Sequence, residues 1–266
     1  MMAFNFFNLL MLASGGLVSG ILAGLLGIGG GTVLVPLLVT LGYTPVQAVA
    51  TSSLTILITS VSGSVQNWRM GYFDFKRVIY LALPALVTAQ LGVYLAGRLP
   101  PYLILLTFGS LLLTNIYLIE LRQRLKAKGE TAQAKLFNPV LSRLGTGGAA
   151  GLLAGFTGLG GGVIMVPLQM LLLGEPLKVA IQTSLGVIVL TAVSACTGHA
   201  LAGNILLVEG LLLGIGGLLG VQISTRALPK LPERVVGLMF RIFLGILAGY
   251  VFAQAGEPLL QVLKQG

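Results

Sequence analysis

The sequence contains very little charge, with Asp, Glu, Lys and Arg together making up 9% of its 266 residues. A soluble domain is about a quarter charged, whereas 56% of this chain is hydrophobic. No residue before Arg69 carries a side-chain charge at neutral pH. These properties exclude an ordinary soluble domain and indicate a helical membrane protein.

Residues that carry out chemistry are also scarce, because the chain has one histidine and one cysteine. A zinc site needs three or four suitably spaced ligands, and no such set is present. Neither the phosphate-binding G-x-x-x-x-G-K-[ST] motif nor a G-x-G-x-x-G dinucleotide loop occurs. We therefore expect no enzymatic activity, no cofactor and no bound metal, and Cys196 has no disulfide partner within the chain.

Acidic residues are outnumbered, with 7 Asp and Glu against 16 Lys and Arg and a formal charge of +9. The basic residues lie in loops between apolar segments, which favours cytoplasmic loops over a nucleic-acid-binding face. The first residues lack a basic region and a cleavage site, so we expect no cleaved signal peptide. The sequence thus predicts a multi-pass protein of the plasma (inner) membrane, whose partners are the lipid bilayer and a small solute.

Long apolar segments recur along the whole chain, each near or above the 18 to 20 residues that span a bilayer. The eight longest are 9–26, 46–66, 78–97, 102–119, 144–159, 179–198, 210–225 and 235–253. We divide the chain into a first membrane repeat, a basic cytoplasmic linker and a second membrane repeat. Their bounds are 1–121, 122–143 and 144–266.

Glycine is abundant where charge is absent, and one glycine-rich motif occurs twice. Residues 20–36 read G-I-L-A-G-L-L-G-I-G-G-G-T-V-L-V-P, and 151–167 match them at ten of 17 positions. Each glycine costs a helix about 1 kcal/mol relative to alanine, so three in a row predict a break. A break within lipid exposes backbone groups that need partners. About ten apolar residues follow each break, which is half the length needed to cross a bilayer.

Glycines also recur at four-residue spacing before each break, at Gly16, Gly20 and Gly24 and again at Gly147, Gly151 and Gly155. This small-xxx-small pattern predicts close contact with another helix.

The fold class that follows is an all-α polytopic membrane protein of two homologous repeats. Each repeat has about four long transmembrane helices and one short broken or re-entrant helix, giving eight to ten segments. If each short helix returns to the side it entered, each half has four crossings and the halves are parallel. If it crosses, each half has five and the halves are inverted. Only inversion makes the basic loops at 69–77, 122–143 and 226–234 all cytoplasmic, so loop charge favours inverted repeats.

The two breaks are the candidate substrate site, because a helix start offers unpaired N–H groups and partial positive charge to an anion. The backbone candidates are Gly29, Gly30, Gly31 and Thr32 in the first copy and Gly160, Gly161 and Gly162 in the second. Hydroxyl and amide candidates on the following helices are Thr51, Ser52, Ser53, Gln182, Thr183 and Ser184. Alternatively, these hydroxyls only bond the carbonyls that the broken helices leave open.

Three further polar residues complete the candidate site. Asn67 and His199 occupy matching places at the ends of the polar helices. His199 could titrate during transport, or serve only as an interfacial hydrogen-bonding group. Arg241 interrupts an apolar segment, which points to function, although its side chain could also extend to the interface.

These motifs resemble the sulfite exporter TauE/SafE family of membrane permeases. The likeness rests on the doubled G-x-x-A-G-x-x-G-x-G-G-G motif, on A-T-S-S at 50–53 and Q-T-S-L at 182–185, and on His199-x-x-x-Gly203. It implies a secondary transporter that moves sulfite, sulfonates or related small sulfur-containing anions, often outward. Because the first repeat has Asn67 where the second has His199, a mechanism with two matching histidines is not expected. The alternatives are a passive channel for anions or small solutes and a non-transporting scaffold, which would not need broken helices.

Overall fold

The computed structural model describes residues 6–96, 109–110, 112–114, 116–117, 139–157 and 161–265. The secondary structure of these residues is helical, which confirms the predicted all-α class. The helices are α1 Phe6–Leu26, α2 Gly31–Thr40, α3 Pro45–Arg69, α4 Phe75–Ala96, α5 Pro139–Thr157, α6 Gly162–Leu172, α7 Leu177–Leu201, α8 Leu207–Ala227 and α9 Glu233–Gln265. Most of the predicted segment 102–119 and most of the linker 122–143 lie outside the described residues.

Five stretches within the described residues are long and apolar enough to span a membrane. They are Leu9–Leu26, Val46–Arg69, Leu177–Leu201, Leu207–Lys230 and Glu233–Ala253. α4 and α5 are helices of 22 and 19 residues, and α2 and α6 are short, with 10 and 11 residues. The chain is therefore a multi-pass membrane protein, and the total of eight to ten segments stays a prediction.

Glycine allows α1 and α5 to lie directly against neighbouring helices. A Cβ atom on Gly16 or Gly20 would meet the carbonyl oxygens of Leu213 or Gly217 on α8. The residue numbers increase on both helices from the first contact to the second, so α1 and α8 run in the same direction. The predicted close packing through these glycines is confirmed, and the partner helix comes from the other half of the chain.

The same arrangement occurs between α5 and α4. A Cβ atom on Gly147 would meet the Leu81 carbonyl, and one on Gly151 would meet the Ala85 carbonyl. The residue numbers again increase on both helices from one contact to the next, so α4 and α5 run in the same direction. Each half of the chain thus supplies one glycine-faced helix to the other half.

The two 25-residue helices, α3 and α7, pack against each other in opposite directions. Ile56 of α3 shares an apolar cluster with Ile188 and Ala192 of α7, whereas Gly63 lies further along α3 and contacts Leu185. We call the contact between Ile56 and Ile188 the crossing. Since each residue is near the middle of its helix, the crossing lies at the middle of the helix bundle.

Polar contacts join the halves at both ends of the bundle. At the end where α3 begins, which we call the Glu209 end, the Tyr43 hydroxyl donates to Glu209 Oε1 over 3.1 Å. Burial and this carboxylate raise the pKa of Tyr43. At the opposite end, the Arg77 end, Arg77 Nη1 lies 3.1 Å from Glu175 Oε2, and Arg77 Nε lies 3.0 Å from Asp74 Oδ2. In both cases the loop after a short helix contacts the first turn of a helix from the other half.

Candidate functional site at the glycine turns

The first break reverses the direction of the chain. Gly27, Gly29 and Gly30 have φ angles of 68°, 76° and 78°, a region where side chains other than glycine are strained. Ser19 Oγ donates to the Gly30 carbonyl over 3.1 Å, and Leu37 lies against Gly15. These contacts show α2 running back along α1 from the turn.

The second break lies against the first. Gly161 caps α6 with a φ of 66°, and a Cβ atom on Gly162 would meet the Gly27 carbonyl and the Ile28 backbone. Gly160, the third predicted glycine of this copy, lies outside the described residues. The start of α6 therefore contacts the turn that precedes α2, although residues 27 and 162 belong to different halves of the chain.

Both turns lie at the depth of the crossing between α3 and α7. A Cβ atom on Gly29 would lie 3.4 Å from side-chain atoms of Ile56 and Ile188. Ile28 and Val163, next to the two turns, belong to an apolar cluster with Phe240 of α9. The turns are thus enclosed by apolar side chains, where an unpaired polar group is costly.

An unpaired polar group is nevertheless present in the first turn of α2. The Thr32 side chain is 3% exposed, and its Oγ1 has no hydrogen-bond partner among the described residues. The N–H groups of Val33 and Leu34 bond the Gly30 carbonyl, but Gly31 and Thr32 precede them, and the first N–H groups of a helix have no intrahelical acceptor. A hydroxyl and a helix start are therefore available at the same place.

The serine and threonine candidates on α3 and α7 mostly bond the backbone. Ser184 Oγ lies 2.9 Å from the Gly27 carbonyl and 2.8 Å from the Ile181 carbonyl, both as acceptors. Ser52 and Ser53 donate to the carbonyls three residues earlier, and Thr51 Oγ1 accepts from Leu206 N–H over 3.1 Å. Of these four residues, only Ser184 bonds a carbonyl that a broken helix leaves open, as the alternative interpretation of the sequence expected. The role of all four in substrate binding stays a prediction.

Gln182 and Thr183 differ from their neighbour Ser184. Both are buried, and neither side chain has a hydrogen-bonding partner among the residues that the structure describes. They lie one to two turns from Ile188, on the side of the crossing toward the Arg77 end. Of the predicted α7 candidates, these two side chains are available to a solute.

Asn67 and His199 lie far from the turns and from each other. Each is about 16 Å along its helix from the crossing, at 1.5 Å per residue. Since α3 and α7 run in opposite directions, Asn67 is at the Arg77 end and His199 is at the Glu209 end. The structure thus separates these matching residues, which therefore cannot bind one small solute together.

Arg241 lies on α9 and is half-buried. It follows Phe240, whose ring is in the apolar cluster that includes Ile28 and Val163. This places Arg241 beside the cluster that encloses the turns, and its predicted contact with substrate stays a prediction.

Sequence reasoning missed Ser19, whose buried hydroxyl holds the Gly30 carbonyl. Ser19 and Ser14 are the two serines among the glycines of this apolar helix, but nothing in the sequence indicated that the partner of Ser19 would be the turn after the same helix.

Helices long enough to span a membrane, together with two glycine turns that meet near the middle of the bundle, are features that many membrane transporters share. The sequence pattern of the family described as Sulfite exporter TauE/SafE matches residues 12–251. The chain belongs to this family, which confirms the resemblance drawn from its motifs.

Curated relatives agree with this class. The chain is 28% identical to the "Probable membrane transporter protein YunE" of Bacillus subtilis, over 86% of this chain and 92% of that protein. It is 30% identical to a "Probable membrane transporter protein" of Xylella fastidiosa, over 86% of this chain and 90% of that protein. A third relative, "Sulfite exporter TauE/SafE family protein 3" of Arabidopsis thaliana, is 32% identical over 35% of this chain and 19% of that protein.

Proposed function

We propose that the protein is a secondary transporter of small sulfur-containing anions, such as sulfite or organosulfonates. The anion is held near the bilayer midplane by the helix starts at the two glycine turns and by polar side chains of both repeats. The observation that carries this proposal is the buried, unpartnered Thr32 hydroxyl at the start of α2.

Neutral donors suit an anion that must also be released. A helix start carries about half a positive charge, and backbone N–H groups bind anions without a compensating cation. Weak binding by dipoles and hydroxyls allows the anion to leave on the other side. The choice of a sulfur-containing anion rests on the family and on the sulfite exporter named among the relatives.

We further propose that the two halves are inverted repeats. Loop charge favoured inversion with a short helix that crosses, whereas α2 runs back along α1. The pair α1 and α2 therefore starts and ends at the Glu209 end and adds no net crossing.

Three observations support inversion: α1 and α8 run together, α4 and α5 run together, and α3 opposes α7. α3 also runs with α8, through contacts such as Gly63 with Val221, and the contacts of Gly186 and Gln90 show that α7 runs with α4. Within the described residues, α1, α3 and α4 therefore run opposite to their counterparts α5, α7 and α8. Basic residues of the described loops gather at the Arg77 end, which makes that end cytoplasmic under the positive-inside rule.

Substitution of Thr32 tests the proposed site. We expect Thr32→Ala to raise the KM for sulfite uptake into proteoliposomes about twofold to tenfold, because one neutral hydrogen bond contributes about 0.5–1.5 kcal/mol. Thr40→Ala is the matched control in the same helix, since the Thr40 hydroxyl is exposed and bonds its own helix at Leu37. The control should transport like the wild type.

Equal transport by the Thr32→Ala and Thr40→Ala variants would contradict a site at the start of α2. Absence of flux above that of empty vesicles for sulfite and organosulfonates would reject the substrate class. Counterflow of labelled sulfite against unlabelled sulfite that saturates indicates a carrier, and flux without saturation indicates a channel.

A further inference from the structure

A second group of buried polar atoms lies near the last turn of α3. Asn67 is 0% exposed and Ser64 is 8% exposed. The Asn67 amide nitrogen, the Asn67 amide oxygen and the Ser64 hydroxyl have no hydrogen-bond partner among the described residues. Because residues three apart share one helix face, these atoms form one polar patch, which we call the Asn67 patch.

Helix register places the Asn67 patch between α3, α7 and α8. Gly63, one turn before Asn67, would contact Leu185 of α7 and Val221 of α8 through a Cβ atom at 3.3 and 2.9 Å. One turn further along, Asn67 is level with the first turns of α7 and the last turn of α8. Lys178 Nζ donates to the Pro229 carbonyl over 2.8 Å and joins α7 to the end of α8 beyond the patch. The patch therefore lies inside the bundle and below its surface.

The same side of the crossing holds two more unbonded polar side chains, Gln182 and Thr183. On the other side, the hydroxyls of Thr51, Ser52 and Ser53 are all hydrogen-bonded. Among the described residues, polar side chains without a hydrogen bond thus accumulate between the glycine turns and the Arg77 end, and the polar atoms of Ser64 and Asn67 are fully buried. A buried polar group without a partner is destabilising. This side of the bundle is therefore suited to bind a solute or water molecule that supplies the missing hydrogen-bond partners.

The available donors define the chemistry of what binds there. The Asn67 amide offers two N–H groups and the Ser64 hydroxyl offers one O–H group, with no charged side chain among the unbonded atoms. An oxyanion accepts these bonds, and an accompanying water molecule or a protonated oxygen of the solute donates to Asn67 Oδ1. A metal ion is a poor fit, since only one strong oxygen ligand is present.

We propose that the Asn67 patch is a second oxyanion site, placed between the glycine turns and the cytoplasmic face. This inference rests on the proposed function. It adds a separate binding site, which a solute occupies as it enters from the cytoplasm or leaves to it. Gln182, which is buried on α7 on the same side of the crossing, is the proposed third neutral side chain.

Transport measured from each face tests the site. In proteoliposomes of known orientation, we expect Asn67→Ala and Ser64→Ala to raise the KM for sulfite about fivefold to tenfold at the cytoplasmic face. The KM at the opposite face should stay within twofold of the wild type, because solute arriving there reaches the glycine turns first. Asn67→Asp, which keeps the shape and adds a negative charge, should reduce uptake from the cytoplasmic face at least tenfold.

Ser60→Ala is the matched control, because Ser60 is buried on the same helix and its hydroxyl bonds the Leu57 carbonyl. This variant should leave both KM values unchanged. If Asn67→Ala and Ser64→Ala behave like Ser60→Ala, or raise the KM equally at both faces, the second site does not exist.

A binding measurement separates failure of this site from failure of the proposed function. Sulfite should raise the Tm of the purified protein in detergent, and less so in the Asn67→Ala and Thr32→Ala variants. If vesicles show no flux but the shift in Tm depends on Asn67, the oxyanion site stands and transport of sulfite is wrong. If sulfite shifts Tm equally in the wild type and in Asn67→Ala, or shifts neither, the second site is overturned.

Discussion

Single hydroxyl groups hold the glycine turn between α1 and α2. Ser19 bonds the carbonyl of Gly30, and Ser184 bonds the carbonyl of Gly27. Positive φ angles at Gly27, Gly29 and Gly30 break the helix at this turn. The Gly30 carbonyl also accepts from Val33 and Leu34 N–H, whereas the Gly27 carbonyl lies beyond the end of α1 and, in an apolar setting, needs a donor from elsewhere. Ser184 is the more informative of the two, since it belongs to the other half of the chain.

We predict that Ser184→Ala lowers the stability of the protein by about 1–3 kcal/mol, because the Gly27 carbonyl then lacks its donor. The measurement is the Tm of the purified protein in detergent. Ser60→Ala serves as the control, since the Ser60 hydroxyl is also buried but bonds only its own helix. If the two variants have the same Tm, the bond between Ser184 and Gly27 is not a stabilising contact.

At the scale of helices, the bundle depends on two contacts in which backbone lies directly on backbone. α1 approaches α8 through Gly16 and Gly20, and α5 approaches α4 through Gly147 and Gly151. Such contacts replace the hydrophobic effect, which does not drive helices together within lipid.

Two glycines of α5 allow this contact to be tested within one helix. A Cβ atom on Gly151 would meet the Ala85 backbone, whereas one on Gly148 would lie 3.7 Å from Thr88 Cγ2. We expect Gly151→Ala to destabilise the protein by about 1–3 kcal/mol, because backbone atoms must move apart. Gly148→Ala should be neutral or stabilise by up to about 1 kcal/mol, since alanine favours a helix. A lower Tm for both variants, or for neither, would contradict the packing described.

At the scale of the whole molecule, the two halves are interlocked. Each half provides a glycine-faced helix to the other, and Ser184 of one half supports the turn of the other. Neither half can bury its own glycine face, so the repeats depend on each other for their packing. The proposed inverted repeats, with the proposed site between them, suit a carrier that opens alternately to each side.

The inverted arrangement predicts opposite locations for the loops that follow α3 and α7. Single cysteines replace Tyr72 and Ala202, both exposed, in a Cys196→Ser background. We expect a membrane-impermeant maleimide to label Ala202→Cys in intact cells and Tyr72→Cys only after the cells are permeabilised. Parallel repeats would place both cysteines on the same side, so labelling of both in intact cells, or of neither before permeabilisation, would reject inversion.

The sequence by itself determined the class, the duplication and the location of the breaks. Low charge and recurring apolar segments are bulk properties that a lipid setting imposes on any chain. Triple glycines end a helix through local backbone energetics, whatever surrounds them. The family followed from the same local motifs, since glycine spacing and the short T-S segments are read directly from the residues.

Only the tertiary structure decided which helices those glycines contact and which polar groups remain available. Ser184 and Thr183 are adjacent and similar in the sequence, yet one bonds Gly27 across the repeats and the other is unbonded. Asn67 and His199 match in position along their repeats but lie at opposite ends of the bundle, because α3 and α7 run in opposite directions. The physical reason is that a hydrogen bond depends on partners far away in the chain, and their placement follows from how the two halves interlock.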